Sequence, residues 1–318
     1  MGAFSIGKSL FRYFFRGTKA RQLIPFPIMS SAGFRRRYAD DPTLADRIFE
    51  LLETWFTGIG ARRREAARLG SLWEECSTPF VCEKGGEIIA HVGLLEMPYV
   101  IEGERHRLGG VHAACTLESE RRQGHFRRIM EELLVYCDGR FETLELCTEN
   151  PEYYEPFGFR ILPERRFVAE VASVGGRDGF RAFDSTRDGE IARLDRLLAE
   201  RTPVSERVGV FDEHDVFKFS QGSDALYYSE ELDCFAAFEQ RGSQLRLFDV
   251  VARELPSLDA LLSQLPPAIE AVEFHFSPDC FDVDARPEPF RSDGDYFMVR
   301  GPFAAEREAF MVPPPARH

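Results

Sequence analysis

The chain has 318 residues, of which 44% are apolar and 13% aromatic, a composition typical of a globular protein with one large or two ordinary domains. Its net charge of -13 and pI of about 5.2 argue against nucleic acid or an anionic membrane as a main partner. No uninterrupted apolar run reaches membrane-spanning length, and the seven cysteines show no Cys-x-x-Cys motif. We therefore expect free thiols and a cytoplasmic protein.

The first 30 residues differ from the rest in charge. Apolar residues such as Phe4, Leu10 and Phe14 interleave with lysine and arginine, and residues 1–37 contain no acidic residue. Three interpretations of this basic, amphipathic N-terminal extension remain open: a surface helix that contacts a membrane, a targeting-like segment, or an over-long gene start with Met29 as the initiator. Ile6 stands where an N-myristoylation motif needs Ser or Thr, which argues against that modification.

The elements of a folded domain begin near Phe34. Residues 34–38 are predicted as a strand, and Asp40 and Asp41 before Pro42 are typical of a helix start. Apolar residues then recur at helical spacing: Leu44, Ile48, Leu51, Leu52 and Trp55. A second helical region, 58–73, presents either a solvated face or one wall of a pocket for a negatively charged substrate through its arginines: Arg62, Arg63, Arg64 and Arg68.

A hairpin and a further long strand come next. Residues 80–83 and 87–100 are predicted to pair through Lys84-Gly85-Gly86, because Gly-Gly is a hairpin-turn signal. A second turn at 102–104 leads into a strand over residues 105–117. Four strands are therefore expected before the next helix.

The stretch 115–130 combines a strand end, a polar turn and a helix start. The turn contains one glycine, Gly124, and Phe126, Ile129 and Met130 then fall at helical spacing. Unpaired N–H groups at a helix start and the positive end of the helix dipole together form an anion site. Cationic side chains surround it: Arg121, Arg122, Arg127 and Arg128. This arrangement is suited to a pyrophosphate.

A second motif lies downstream of a strand predicted over residues 141–147. Arg121-x-x-Gly124-x-Phe126, followed by Tyr154-x-x-x-Gly158-Phe159, resembles the acetyl-CoA signature and the Tyr-x-x-x-Gly-Phe ending of the GNAT superfamily of N-acetyltransferases. The two motifs occur in the order and spacing of that family, and the resemblance covers residues 33–170. Phe126 departs from the pattern, since the family has a small residue at that position.

The resemblance implies acetyl-CoA as a co-substrate, bound between two strands that splay apart. The backbone near Leu117 would bond the acetyl carbonyl and the pantetheine amide, and an N–H aimed at that carbonyl would stabilise the tetrahedral oxyanion. Tyr154 matches the tyrosine that acts as general acid on the leaving sulfur, with a packing role as the alternative. Further cofactor contacts are expected from Arg121, Arg122, Gln123, Gly124, His125, Phe126, Arg127 and Asn150.

The sequence offers several candidates for the base that accepts the proton of the amine. His112 lies on the strand before the turn and has an ordinary pKa suited to proton transfer near neutrality, while Glu96 and His91 are other candidates. A bulge at Gly109-Gly110 would decide which face His112 occupies. Cys115 and Cys147 are interpreted as buried packing residues, and the histidines and cysteines are too scattered for a metal site.

The second half of the chain repeats the order of elements after a glycine-rich segment at 175–179. The expected elements are a strand at 180–183, a helix at 188–200, strands at 225–232, 234–240 and 244–252, a helix at 258–265, and strands at 271–276 and 296–300. The turn at 252–257 has no glycine, and Pro256 removes one N–H, so this half is expected to bind no CoA. The fold class is α/β (α+β), with two GNAT-like domains, each a mixed, mostly antiparallel sheet flanked by helices.

The predicted organisation is an extension at 1–30, a catalytic domain at 31–174, a degenerate GNAT-like domain at 175–305 and a flexible tail at 306–318. This organisation is similar to that of the two-domain, Eis-like enzymes. The resemblance implies a C-terminal carboxylate as the base, but the residues Pro315-Ala316-Arg317-His318 give no support for that role. The predicted function is an acetyl-CoA-dependent N-acetyltransferase that acts on a primary amine of a small molecule or peptide. The alternative is a non-catalytic acyl-CoA-binding or scaffold protein.

Overall fold

The computed structural model describes residues 33–172, 176–222, 224–265, 269–291 and 294–318. The predicted N-terminal extension at 1–30 lies outside these ranges, so its three interpretations stay open. Among the helices of the described ranges, none has the length and apolar character needed to cross a membrane.

The first half of the chain follows the predicted order of elements closely. Three helices, α1 (Leu44–Glu53), α2 (Ile59–Arg68) and α3 (Trp73–Cys76), precede strands β1 (Ser77–Lys84), β2 (Glu87–Ile101) and β3 (Glu104–Thr116). Helix α4 (His125–Cys137) and strands β4 (Leu144–Thr148), β5 (Arg160–Leu162) and β6 (Arg165–Glu170) follow. The strand expected at 34–38 is wrong, because only an isolated bridge joins Arg35 to Phe80 and a 3-10 turn begins at Tyr38.

The second half contains three elements that the sequence pattern did not predict. Its elements are β7 (Arg181–Ala182), α5 (Glu190–Glu200), β8 (Val208–Val210), α6 (His214–Ser220), β9 (Leu226–Ser229), β10 (Cys234–Arg241), β11 (Gln244–Val251), α7 (Leu258–Ser263), β12 (Ala271–Phe274), β13 (Arg286–Pro289) and β14 (Tyr296–Arg300). The unpredicted ones are β8, α6 and β13. They span three to seven residues, which is too short for a clear periodicity.

Two seven-stranded sheets form the framework. The first has the order β1-β2-β3-β4-β14-β5, with β8 paired to β2, and the second has the order β13-β6-β12-β11-β10-β9-β7. Pairing is antiparallel except for β3 with β4 and β11 with β12. The prediction of two mixed, mostly antiparallel sheets flanked by helices is confirmed.

The two sheets exchange strands across the predicted domain boundary at 174. Strand β6, which precedes the boundary, pairs with β12 and β13 of the second sheet. Strand β14, which follows it, pairs with β4 and β5 of the first sheet. The division into domains at 31–174 and 175–305 stays a prediction, but the sheets themselves do not follow it.

The expectation of a flexible tail at 306–318 is wrong for the described structure. Phe310 and Val312 are fully buried, and Arg317 forms an ion pair with Glu164. Ser220 Oγ donates a hydrogen bond of 2.5 Å to the Arg317 carbonyl. The three prolines at 313–315 do not form an extended segment: Pro313 precedes a 3-10 turn over Pro314–Ala316, and this turn packs against the first sheet.

The first sheet has a different layer on each face. Helix α4 covers one face with an apolar core that includes Ile129, Leu133, Leu144 and Leu146. The opposite face packs against α1 and against the segment 310–316. Because side chains alternate along a strand, Glu145 of β4 lies on the face opposite α4.

Candidate functional site

Strands β3 and β4 enclose a cleft at the centre of the first sheet. They run parallel and, within the described residues, pair only at Gly109–Leu144 and Gly110–Glu145. We call the opening beyond this point, between residues 111–116 and 146–148, the β3–β4 cleft. A bulge opens it at Ala113, whose φ is 48° and where the β2–β3 register shifts. The bulge considered at Gly109-Gly110 is not observed, because both residues pair regularly with β2.

The backbone groups that face the cleft follow from the pairing of β3 with β2. Leu117 donates its N–H to the Ile89 carbonyl at 2.8 Å, so this N–H is directed at β2. Bonding directions alternate along an antiparallel pair, so Ala114 and Thr116 direct their N–H and C=O groups toward the cleft. The backbone contact with the cofactor that was predicted at Leu117 is therefore better placed at Ala114 and Thr116.

The turn between β3 and α4 is exposed and has the backbone shape of an anion site. Arg122 and Gly124 adopt positive φ of 64° and 80°, and no side chain caps the start of α4. The first N–H groups of this 13-residue helix therefore lack intrahelical partners. Around them, these side chains are exposed: Arg121, Arg122, Gln123 and Arg127. Arg121 lies 3.9 Å above the ring of Trp55.

The side chains of the first two helical residues point away from this turn. Arg128 Nη2 donates to His125 Nδ1 at 2.7 Å, and Glu120 lies 3.6 Å from the other ring nitrogen. Burial lowers the pKa of His125, so its imidazole is a neutral packing group and only its backbone faces the turn. The Phe126 ring packs edge-on against Tyr154 at a centroid distance of 5.5 Å, which leaves the backbone of the turn uncovered.

Tyr154 lies on the α4 side of the sheet. It is 9% exposed, and its ring also contacts Phe159 at 6.1 Å. Burial, with smaller effects from Cys115 and Asp295, raises the pKa of the Tyr154 hydroxyl well above its ordinary value of 10. The hydroxyl therefore stays protonated at neutral pH and can donate a hydrogen bond. Asn150 is exposed on the loop after β4, where its own N–H donates to Thr148 Oγ1 at 3.1 Å.

His112 lies on the opposite face from Tyr154, so the structure does not bring the two predicted catalytic residues together. Its Nε2 is 2.9 Å from Ser77 Oγ, and its ring meets the edge of Trp73 at 4.9 Å. Burial, together with the neighbouring imidazoles of His318 and His91, lowers the pKa of His112 well below 6.5. The side chain is a neutral imidazole on the side of the sheet away from α4.

A buried polar cluster surrounds His112, and most of it was missed by the sequence analysis. The rings of His91 and His318 lie 6.3 and 6.1 Å from that of His112, and Glu145 lies beside His318. We call these four residues the histidine cluster. The available signal was the acidic residue in the apolar strand Leu144-Glu145-Leu146. Of the other candidates, His91 Nδ1 donates to the Ala113 carbonyl at 2.8 Å, whereas Glu96 is exposed and pairs with Arg107.

The remaining candidates have ordinary structural surroundings. Burial raises the pKa of Cys115 to about 12 and that of Cys147 further, so both thiols stay neutral. The described residues contain no group of three or more side chains able to hold a metal ion. In α2, Arg63 pairs with Asp46 and Glu74, which compensates part of the charge proposed for a substrate pocket.

Comparisons with known proteins agree with this geometry. Residues 37–162 match the family model described as acetyltransferase (GNAT) domain. A probable N-acyltransferase from Enterococcus faecalis shares 11% identity and a TM-score of 0.56 over 86% of this chain and 72% of that chain. Eis1 from Mycobacterium abscessus shares 15% identity and a TM-score of 0.53 over 84% of this chain and 72% of that one. No curated protein matches the chain.

The strand–turn–helix unit, the cleft and the family match together define a GNAT domain in residues 37–162. The chain's arrangement of two sheets is similar to the fold of the Mycobacterium abscessus protein.

Proposed function

We propose that the chain is an acetyl-CoA-dependent N-acetyltransferase that transfers an acetyl group directly to a primary amine of a small molecule or peptide. The observation that carries the proposal is that the β3–β4 cleft ends beside the exposed, uncapped start of α4. The pantetheine arm would lie in the cleft as an added strand, bonded to Ala114 and Thr116. The diphosphate would lie on the N–H groups of the turn at 121–125.

The chemistry assigns different roles to the two faces of the sheet. An N–H directed into the cleft would stabilise the oxyanion that forms on the acetyl carbonyl. Tyr154, on the α4 side, would donate its hydroxyl proton or a hydrogen bond to the departing sulfur. The amine would approach from the opposite face, where His112 lies. A C–N bond forms, the C–S bond breaks, and the sulfur gains a proton.

The proposed setting is the cytoplasm. All seven cysteines are free, which supports a reducing compartment. The acidic net charge supports a small-molecule or peptide acceptor in preference to nucleic acid.

Tyr154→Phe tests the proposal because it keeps the packed ring and removes only the hydroxyl. We expect kcat to fall by about 10²–10⁴-fold, the usual contribution of a general acid, with the calorimetric affinity for acetyl-CoA unchanged. Tyr153→Phe is the matched control, because the Tyr153 side chain is 59% exposed. Turnover of Tyr154→Phe equal to wild type would remove Tyr154 from the mechanism. Acetyl-CoA binding without thiol release for any amine would favour the non-catalytic alternative.

A further inference from the structure

Glu145 occupies the point at which the cleft begins. It pairs with Gly110 in the last β3–β4 bridge of the described residues, and its side chain lies on the face opposite α4. Only 1% of this side chain is exposed. A buried carboxyl group at this position is unusual, because the adjacent side chains on β4, Leu144 and Leu146, belong to an apolar core.

Two buried polar atoms, one on Glu145 and one beside it, have no hydrogen-bond partner among the described residues. Glu145 Oε1 lies 3.2 Å from His318 Nε2, but neither atom makes a hydrogen bond. Buried polar atoms are normally paired, so these two atoms at the start of the cleft mark a place where a polar group of a ligand belongs.

The position of His318 is fixed from several sides. Arg317 pairs with Glu164, and Glu164 Oε1 also accepts the Val312 N–H at 3.0 Å. The His318 ring lies over Gly110, where a Cβ atom would stand 2.5 Å from its Nε2. The glycine therefore makes the room that brings this imidazole to Glu145.

The groups around Glu145 determine how readily it takes up a proton. Burial raises the pKa of Glu145 well above 4.5, while Arg317 lowers it and Glu164 raises it further. Burial lowers the pKa of His318 to about 4, so this imidazole is neutral. An ionised carboxylate whose pKa is raised toward the working pH accepts a proton more readily than an ordinary carboxylate. The groups that face it from the packed elements are Tyr99 of β2, His112 of β3, Cys147 of β4, Glu164 of the β5–β6 loop, and Arg317 and His318 of the segment 310–318.

We infer that Glu145, held in place by His318, accepts the proton that the acceptor amine loses, and that the acceptor is an alkylammonium compound. The inference rests on the proposed acetyl transfer. An alkylammonium loses two protons when it becomes an amide. The first goes to Glu145 and from there to solvent. The second leaves the nitrogen as the C–N bond forms and the C–S bond breaks, and a proton ends on the sulfur of CoA.

Two isomeric amines separate the role of Glu145 as a base from a structural role. Phenethylamine is protonated at neutral pH and must lose a proton to a base before it can attack. Its isomer 4-ethylaniline is neutral and does not need this first deprotonation. Thiol release is measured for wild type, Glu145→Gln and Glu164→Gln with each amine, and with hydrazine as a small nucleophile. Acetyl-CoA affinity by calorimetry reports whether each variant keeps the cofactor site.

For Glu145→Gln we expect the phenethylamine rate to fall about 10²-fold and the 4-ethylaniline rate to change by less than about threefold. Glu164→Gln perturbs the same buried surroundings through Arg317, so both rates should fall by the same factor. Equal losses for both amines in Glu145→Gln would overturn the inference, as would the same selective loss in Glu164→Gln. If Glu145→Gln fails to fold, His318→Gln takes its place. The ratio of the phenethylamine rate to the 4-ethylaniline rate should fall in this variant, and an unchanged ratio would overturn the inference.

The outcomes also separate this inference from the proposed function. If wild type acetylates the amines and Glu145→Gln slows them equally, only the role of Glu145 is contradicted. If wild type binds acetyl-CoA but releases no thiol with any of the three nucleophiles, the proposed acetyl transfer fails, and the inference fails with it.

Discussion

The position of the His112 imidazole depends on Gly93, and Gly93→Ala tests it. A Cβ atom at this residue would come within 3.0 Å of three ring atoms of His112, including Cδ2 at 2.8 Å. Ser77 and Trp73 hold the ring from two other directions, so it cannot turn away without losing these contacts. Gly93 does not have a positive φ, so its backbone suits alanine and the substitution isolates the clash with the ring.

The expected cost follows from two effects. Overpacking a closely packed core destabilises a protein by about 1–3 kcal/mol. Loss of the Ser77–His112 hydrogen bond adds about 0.5–1.5 kcal/mol. We expect Gly93→Ala to lower the free energy of unfolding by about 2–4 kcal/mol, measured by urea denaturation. In a His112→Ala background the clash partner is absent, so the same change should cost less than about 1 kcal/mol.

Two results would refute this reasoning. One is a Gly93→Ala variant within about 0.5 kcal/mol of wild type, the range of a neutral surface change. The other is an equal cost of Gly93→Ala with and without the imidazole. Either result would mean that the His112 ring does not lie over Gly93, and it would remove His112 from the amine side of the cleft.

Fluorescence and pH offer two further tests. Of the two tryptophans, Trp73 is buried and Trp55 is 42% exposed under Arg121. A diphosphate at the turn should draw the Arg121 guanidinium away from the Trp55 indole. Acetyl-CoA should therefore change the tryptophan emission of wild type but not that of Trp55→Phe. An emission change of the same size in Trp55→Phe would contradict this prediction. Burial lowers the pKa of His91 from 6.5 to about 4, so between these values the unfolded state binds more protons and stability falls as pH falls. From pH 7 to pH 5 this histidine should cost about 2 kcal/mol, and urea unfolding of His91→Gln should show a smaller loss than wild type; equal losses would refute the assignment.

Local signals predicted the parts of the fold that depend on neighbouring residues. The Gly85-Gly86 hairpin, the strand–turn–helix unit around Gly124 and most helices were predicted from spacing and turn chemistry alone. Each is determined by interactions within a few turns of chain, and such interactions can be read from periodicity and glycine placement.

Features that depend on distant residues were not predictable in the same way. The pattern of β14 indicates a strand, but its position between β4 and β5 depends on partners about 150 residues earlier. The segment 310–318 contains prolines typical of an extended tail, yet apolar contacts and the Arg317–Glu164 pair hold it against the first sheet. The bulge at Ala113 has no glycine to mark it, so the sequence did not show that the backbone turns there.

The central claim is that acetyl-CoA binds with its diphosphate at the start of α4. Calorimetric titration with acetyl-CoA of wild type, Gly124→Glu and Gly139→Glu tests it most directly. Both glycines have positive φ, of 80° and 70°, and a Cβ atom at either would meet nothing within 4 Å. The two variants therefore carry similar backbone strain and the same added charge at opposite ends of one helix.

The account predicts binding by wild type and Gly139→Glu and loss of binding in Gly124→Glu, because only the latter places a carboxylate and its bulk in the diphosphate site. Equal binding by both variants would contradict the assignment of the turn. A wild-type chain that does not bind acetyl-CoA would contradict the proposed activity as a whole.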